Sequence, residues 1–201
     1  MRFAIFGAAL AAATLAHAQV PLSIGVPVVG APLSADATRS MCEETDAIWR
    51  DAGVVIVWRA SGAAPDLRVV FDDRPPEPRD GRSMALGWLV FDGDDVPAPT
   101  IHLSYTNTRR LLDQAYATDR LIDVTRPWQR DALIARALGR ALAHELGHYL
   151  LGSKQHTEKG LMRGNRLAVE MFLPGRSPFA IDRSLRDRAA SRVARLVAAR
   201  E

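Results

Sequence analysis

The chain has 201 residues, 48% hydrophobic and 24% charged, enough length and apolar content for one domain with a sizeable core. Its 26 basic and 23 acidic residues leave a formal charge of +3, and the basic residues are scattered arginines, with Lys154 and Lys159 the only lysines. That pattern lacks the clustered basic face of a nucleic-acid-binding protein, and the lone Cys42 excludes an intrachain disulfide.

Met1-Arg2, the apolar run from Phe3 to Leu15 and Ala16-His17-Ala18 read as the positive start, hydrophobic stretch and A-x-A cleavage site of a secretory signal peptide. The run is shorter than the ~20 apolar residues of a bilayer span. Cleavage after Ala18 is therefore expected, giving a secreted or periplasmic protein without a membrane partner. Arg2 is the only charged residue of segment 1–18, so its loss takes the net charge from +3 to +2. Residues 19–34 form an extended lead-in segment, since Val20 to Pro32 is rich in proline, glycine and valine without helical period. The folded domain is expected over 35–201.

Ser34 or Asp36 caps a helix running to about Arg50, with Met41, Thr45, Ile48 and Trp49 near one face and Glu43, Glu44 and Asp46 elsewhere. In this helix Cys42 reads as a small buried residue, because Glu43 and Glu44 disfavour a metal-capping thiolate. Asp51-Ala52-Gly53 stops the helix. The β-branched run Val54 to Trp58 suits a buried strand, and Leu67 to Phe71 a second. Pro75, Pro76 and Pro78 make 72–81 a surface loop. Ala85 to Phe91 and Thr100 to Tyr105 read as two more strands, joined through Asp92-Gly93-Asp94-Asp95, which is a turn signal rather than a calcium site.

Thr125 then caps a long helix, with Pro127 and Trp128 in its first turn, that continues to about Leu151 and stops at Gly152. Ile181, Leu185, Ala189, Val193 and Leu196, spaced three or four apart, signal a last helix. The order is α+β: about four strands with helices packed against them.

The long helix ends in His144-Glu145-Leu146-Gly147-His148. Histidines four apart on a helix of 3.6 residues per turn share a face one turn apart, so both imidazoles reach a single metal ion. Zinc takes neutral imidazole nitrogen and, when catalytic, keeps three protein ligands and one open position. Glu145 projects beside the metal rather than onto it. From there it takes the proton of a zinc-activated water and passes it to a leaving amine. Leu138, Leu142, Leu146 and Tyr149 form the packing side, while Ala137 and Ala141 lie toward the histidines. His156 comes just past the glycine, where a chain reversing at Gly152 brings it back toward the metal. Gly160-Leu161-Met162 puts a methionine in a turn a few residues later.

From His144 to Met162 the chain resembles the metzincin metallopeptidases, and the matrixin type among them, in its order of active-site helix, helix-breaking glycine, third histidine and methionine turn. The family pattern H-E-x-x-H-x-x-G-x-x-H is lengthened here by one residue before Gly152 and one after it. The resemblance implies a zincin-like fold over roughly residues 35 to 198. It implies Zn2+ held by His144, His148 and His156, Glu145 as general base, and Met162 packed beneath the site; because other zincins supply a glutamate from further downstream, Glu170 is the next candidate for third ligand, with Glu158 behind it. It also implies that the strand Thr100 to Tyr105 borders the cleft and pairs with an extended peptide. His102 in that strand, a lone histidine, is not counted as a ligand. The expected activity is zinc-dependent endopeptidase acting on a peptide or protein substrate. The competing expectation is a noncatalytic zinc-binding or inhibitory protein on the same scaffold.

Overall fold

The structure, a computed structural model, describes residues 22–25, 32–59, 65–74, 84–92, 96–118 and 126–198. The expected signal peptide, Thr125, Asp94 and Asp95 lie outside the described residues, and of the expected loop 72–81 only 72–74 are described. In chain order the elements are β1 (Leu22–Gly25), α1 (Ala35–Arg50), β2 (Ile56–Arg59), β3 (Leu67–Phe71), β4 (Gly87–Phe91), β5 (Pro97–Leu103), α2 (Tyr105–Thr118), α3 (Pro127–Leu151) and α4 (Arg183–Ala198). Among the described residues no helix is long and apolar enough to cross a membrane.

The five strands form one mixed sheet in the order β2-β1-β3-β5-β4, parallel except for β4, which runs antiparallel to β5. Among the described residues the sheet has one strand more than the four expected from the sequence. The added strand is β1, inside the stretch read as an extended lead-in, and it sits between β2 and β3. Leu22 and Ile24 are fully buried there. Neighbouring chain completes its hydrogen bonding, with Leu22 N–H donating to the Val55 carbonyl (2.9 Å) and Asp66 N–H to the Ser23 carbonyl (3.1 Å). Of the run Val54 to Trp58, only Ile56 onward is strand, and β2 lies at the sheet edge rather than buried, with Val57 36% exposed.

Helix α1 starts where expected, with Ser34 Oγ accepting from Ala37 N–H at 3.2 Å. Helix α2 is not expected from the sequence pattern. It is capped by Ser104, whose Oγ accepts from Asn107 N–H (3.1 Å), and by Asp73, which accepts from the N–H (3.0 Å) and hydroxyl (2.7 Å) of Thr106. Its buried stripe is only Thr108, Leu112 and Ala115, beside the less regular Asn107. So little apolar patterning among 14 residues leaves the helix hard to see locally.

Helix α3 packs on β4 and β5 and is flanked by α1, α2 and α4, so it is buried almost all round. Arg126 takes the N-cap position, and its N–H donates to Gln129 Oε1 at 3.0 Å with Pro127 following. Where α1 crosses α3, Thr45 Oγ1 donates to the Gly139 carbonyl (3.0 Å) and Trp49 Nε1 to the Ala143 carbonyl (3.1 Å). A Cβ on Gly139 would come within 2.6 Å of the Met41 carbonyl oxygen, which is backbone and cannot step aside. Gly139→Ala is expected to destabilise the fold by about 1–3 kcal/mol through overpacking. Urea denaturation measures this, and an unchanged midpoint would show that the helices can part without cost.

Glu44 does not lie on a solvent face. It is buried and accepts from Arg140 Nε (2.8 Å) and Arg176 Nε (2.8 Å). Arg140, fully buried, also donates to the carbonyls of Glu170 (2.7 Å) and Gly175 (2.9 Å). One arginine thus ties α1 and α3 to the segment that follows the expected metal site.

Candidate metal centre

The last turns of α3 carry His144, Glu145 and His148 toward one cleft of about 920 Å³. His144 Nδ1 lies 2.8 Å from the Leu161 carbonyl oxygen, and His148 Nδ1 lies 2.6 Å from that of Ser153. A carbonyl only accepts, so both rings carry hydrogen on Nδ1 and present a bare lone pair at Nε2. Backbone partners of this kind fix the tautomer and ring orientation of metal-binding histidines. Ser153 follows Gly152, whose left-handed backbone (φ 56°, ψ 45°) ends the helix. The helix stop therefore positions the group that orients the second histidine.

Past that turn the chain reverses and brings His156 to the other two rings. The Nε2 atoms of His144 and His148 are 3.0 Å apart, and each lies 3.3 Å from Nε2 of His156. The two added residues in the loop do not prevent its return. Between His144 and His148 the approach sets lone pair against lone pair, which is unfavourable without a cation. Four-coordinate zinc with bonds of 2.0–2.1 Å separates its nitrogen ligands by about 3.3 Å. The observed triangle fits that figure, so a zinc-sized ion is accommodated by the three rings with little movement. Among the described residues these three form the only cluster of three or more metal-ligating side chains.

The electrostatics favour the ligand form. Burial, then the neighbouring His148, hold the His144 imidazole down to about 3. Burial also lowers His148 and His156, so all three rings are neutral near pH 7. Glu145 lines the same cleft, and burial pushes its carboxyl up to about 8 in the metal-free protein. The strand β4 comes against it at Gly87, where a Cβ would lie 3.0 Å from Glu145 Cγ.

Met162 is buried, and its sulfur packs on Gly147, between the two helical histidines, where any side chain would collide with it. Glu170, the alternative third ligand, instead pairs with Arg163 and accepts from Leu167 N–H (2.8 Å). Glu158 is exposed and outside the cluster. Cys42 lies in the core, where burial, then Asp46 and Glu43, push its thiol up to about 12, so it supplies no thiolate to a metal. His102 stacks on Trp88 (5.1 Å between centroids, 11°) and is not part of the cluster.

The strand expected at the cleft edge, Thr100 to Tyr105, does not lie there, and its last residue, Tyr105, opens α2. Strand β5 is hydrogen-bonded on both sides, to β3 and β4, and has no edge to offer a peptide. Among the described residues the terminal strand is β4, whose Gly87, Trp88, Leu89 and Phe91 line the cleft.

One residue near the site carried no sequence signal. Arg166 Nη2 donates to the same Leu161 carbonyl that His144 uses (3.0 Å) and to the Gly160 carbonyl, while Nη1 donates to the Pro178 carbonyl (3.1 Å). Its guanidinium lies 4.1 Å from the Phe179 ring centroid, and that of Arg140 lies 4.5 Å from it. Only the folded loop makes Arg166 differ from the other scattered arginines.

No family model matches the sequence, and no curated protein matches it. Ten chains of solved structures do match. One is archaemetzincin from Methanopyrus kandleri, 12% identical, with a TM-score of 0.50 over 92% of this chain and 99% of that one. That neighbour is an archaemetzincin, and the match gives no support to the expected matrixin type. At such identity the likeness concerns the fold: this chain has a zincin-like α+β fold, similar to that of archaemetzincin, with three histidines positioned to bind a metal ion.

Proposed function

We propose that this protein is a zinc-dependent endopeptidase, exported by the signal sequence at 1–18, with zinc on His144, His148 and His156 and Glu145 as general base. The observation that carries the reading is the convergence of three Nε2 atoms at 3.0–3.3 Å in a cleft that also contains a buried carboxylate. Bound zinc polarises a carbonyl and lowers the pKa of water to about 7. The chain supplies the rest. The outer edge of β4 offers backbone groups to an extended peptide. With a cation bound beside it, which would favour the ionised form and bring its carboxyl down from about 8, Glu145 would take a proton from the attacking water and deliver it to the leaving nitrogen. A noncatalytic zinc protein would gain nothing from that carboxylate.

The mature protein is expected to bind one zinc per chain, measured by elemental analysis after dialysis. A protein that holds no zinc and takes up none on titration defeats the reading. His156→Ala is expected to lose more affinity than the ~10–100-fold typical of an outer partner, read by chelator competition, because it removes a direct ligand. Unchanged affinity would place the third ligand elsewhere. A peptide-library digest separates peptidase from zinc-binding protein.

A further inference from the structure

Leu161 contributes one carbonyl oxygen to two donors, His144 Nδ1–H at 2.8 Å and Arg166 Nη2–H at 3.0 Å. A carbonyl has two lone pairs, and both are used. Arg166 also donates to the carbonyls of Gly160 and Pro178, while its guanidinium carbon lies over the Phe179 ring. The turn is further pinned by Leu161 N–H donating to the Ala180 carbonyl at 2.9 Å. Gly160 has φ 76°, and a Cβ there would strike the Ala180 carbonyl, so the turn has little room to shift. By contrast, the carbonyl that orients His148 belongs to Ser153, adjoining the helix itself. The orientation of His144 depends on a segment 17 residues away, and among the described side chains Arg166 is the one that donates to the Leu161 carbonyl beside His144.

We infer that Arg166 is a positioning residue for the metal centre: through the shared Leu161 carbonyl it sets the tautomer and ring orientation of His144. The inference rests on the zinc reading above, not on peptide cleavage. Two effects of losing Arg166 oppose each other. Freeing the Leu161 carbonyl weakens zinc binding, whereas removing a nearby positive charge strengthens it. Arg166→Lys separates them, because it keeps the charge but lacks the planar fork that spans successive carbonyls.

The test uses the full mature chain, with zinc affinity measured by chelator competition and folding followed by circular dichroism. Arg166→Lys is expected to bind zinc about tenfold more weakly, at the low end of the range for lost outer partners. Its cobalt-loaded form is expected to show shifted visible bands at saturation, which a residue that merely fastened a loop would not cause. Wild-type affinity together with wild-type cobalt bands in Arg166→Lys overturns the proposal. Should that variant not fold, nuclear magnetic resonance of the zinc-loaded wild type decides. Couplings across hydrogen bonds from both His144 Nδ1–H and Arg166 Nη–H to the Leu161 carbonyl are expected, and absence of the Arg166 coupling overturns it. Failure of the wild type to bind zinc at all is the separate failure of the metal reading.

Discussion

Glu145→Ala is expected to reduce peptide cleavage by roughly 10²–10⁴-fold, the usual contribution of a positioned acid–base group, while zinc stays bound. The side chain lines the cleft beside the histidines without joining their cluster, so its removal takes away a proton carrier and no ligand. Glu145→Gln is the closer control, since it preserves volume against Gly87 and removes only the ability to accept a proton. The measurement is kcat/KM on any peptide found in the library digest, beside the zinc-to-protein ratio of each variant. Retained cleavage in both variants at full zinc occupancy would remove Glu145 from the mechanism. Loss of zinc along with activity would mean that the carboxylate holds the metal instead.

The second large effect is on stability. Glu44→Ala leaves Arg140 fully buried with a positive charge and no carboxylate partner. Breaking a buried pair from one side costs about 3–5 kcal/mol, a large part of the roughly 5–15 kcal/mol that holds an ordinary domain together. Arg140 sits one helical turn before His144, and its other donors hold the carbonyls of Glu170 and Gly175. The damage should therefore spread from the α1–α3 contact to the segment that closes the site. Equilibrium urea unfolding of the metal-free protein is the appropriate measurement. A loss below about 1 kcal/mol would class the pair with exposed salt bridges and contradict its burial. Arg176, whose side chain is half exposed, is expected to matter less when replaced.

The parts of the molecule legible in the sequence are those governed by local periodicity. A helical repeat of 3.6 residues places His144 and His148 together whatever surrounds them, and α1, α3 and α4 each show a stripe of that period. Gly152 marks the end of α3 because a left-handed residue is needed there. These are statements about neighbours within a few residues, where backbone geometry leaves few alternatives.

Tertiary structure decided the rest. Strand β1 is only four residues, Leu22-Ser23-Ile24-Gly25, too short for its alternation to stand out among the prolines and glycines around it, and it exists because β2 and β3 pair with it in parallel from both sides. The same cause makes β4 rather than β5 the cleft edge, since strand order is a long-range property. Glu44 and Arg140 are 96 residues apart, so nothing near either in sequence announces the pair. The lengthened spacing before His156 left the third ligand open, and only the fold shows the loop returning. By itself the sequence determined a helix bearing two histidines and a glutamate. The packing of distant segments determined which third nitrogen meets them, which carbonyls orient them and which strand faces them, because such contacts depend on chain closure rather than on local backbone preference.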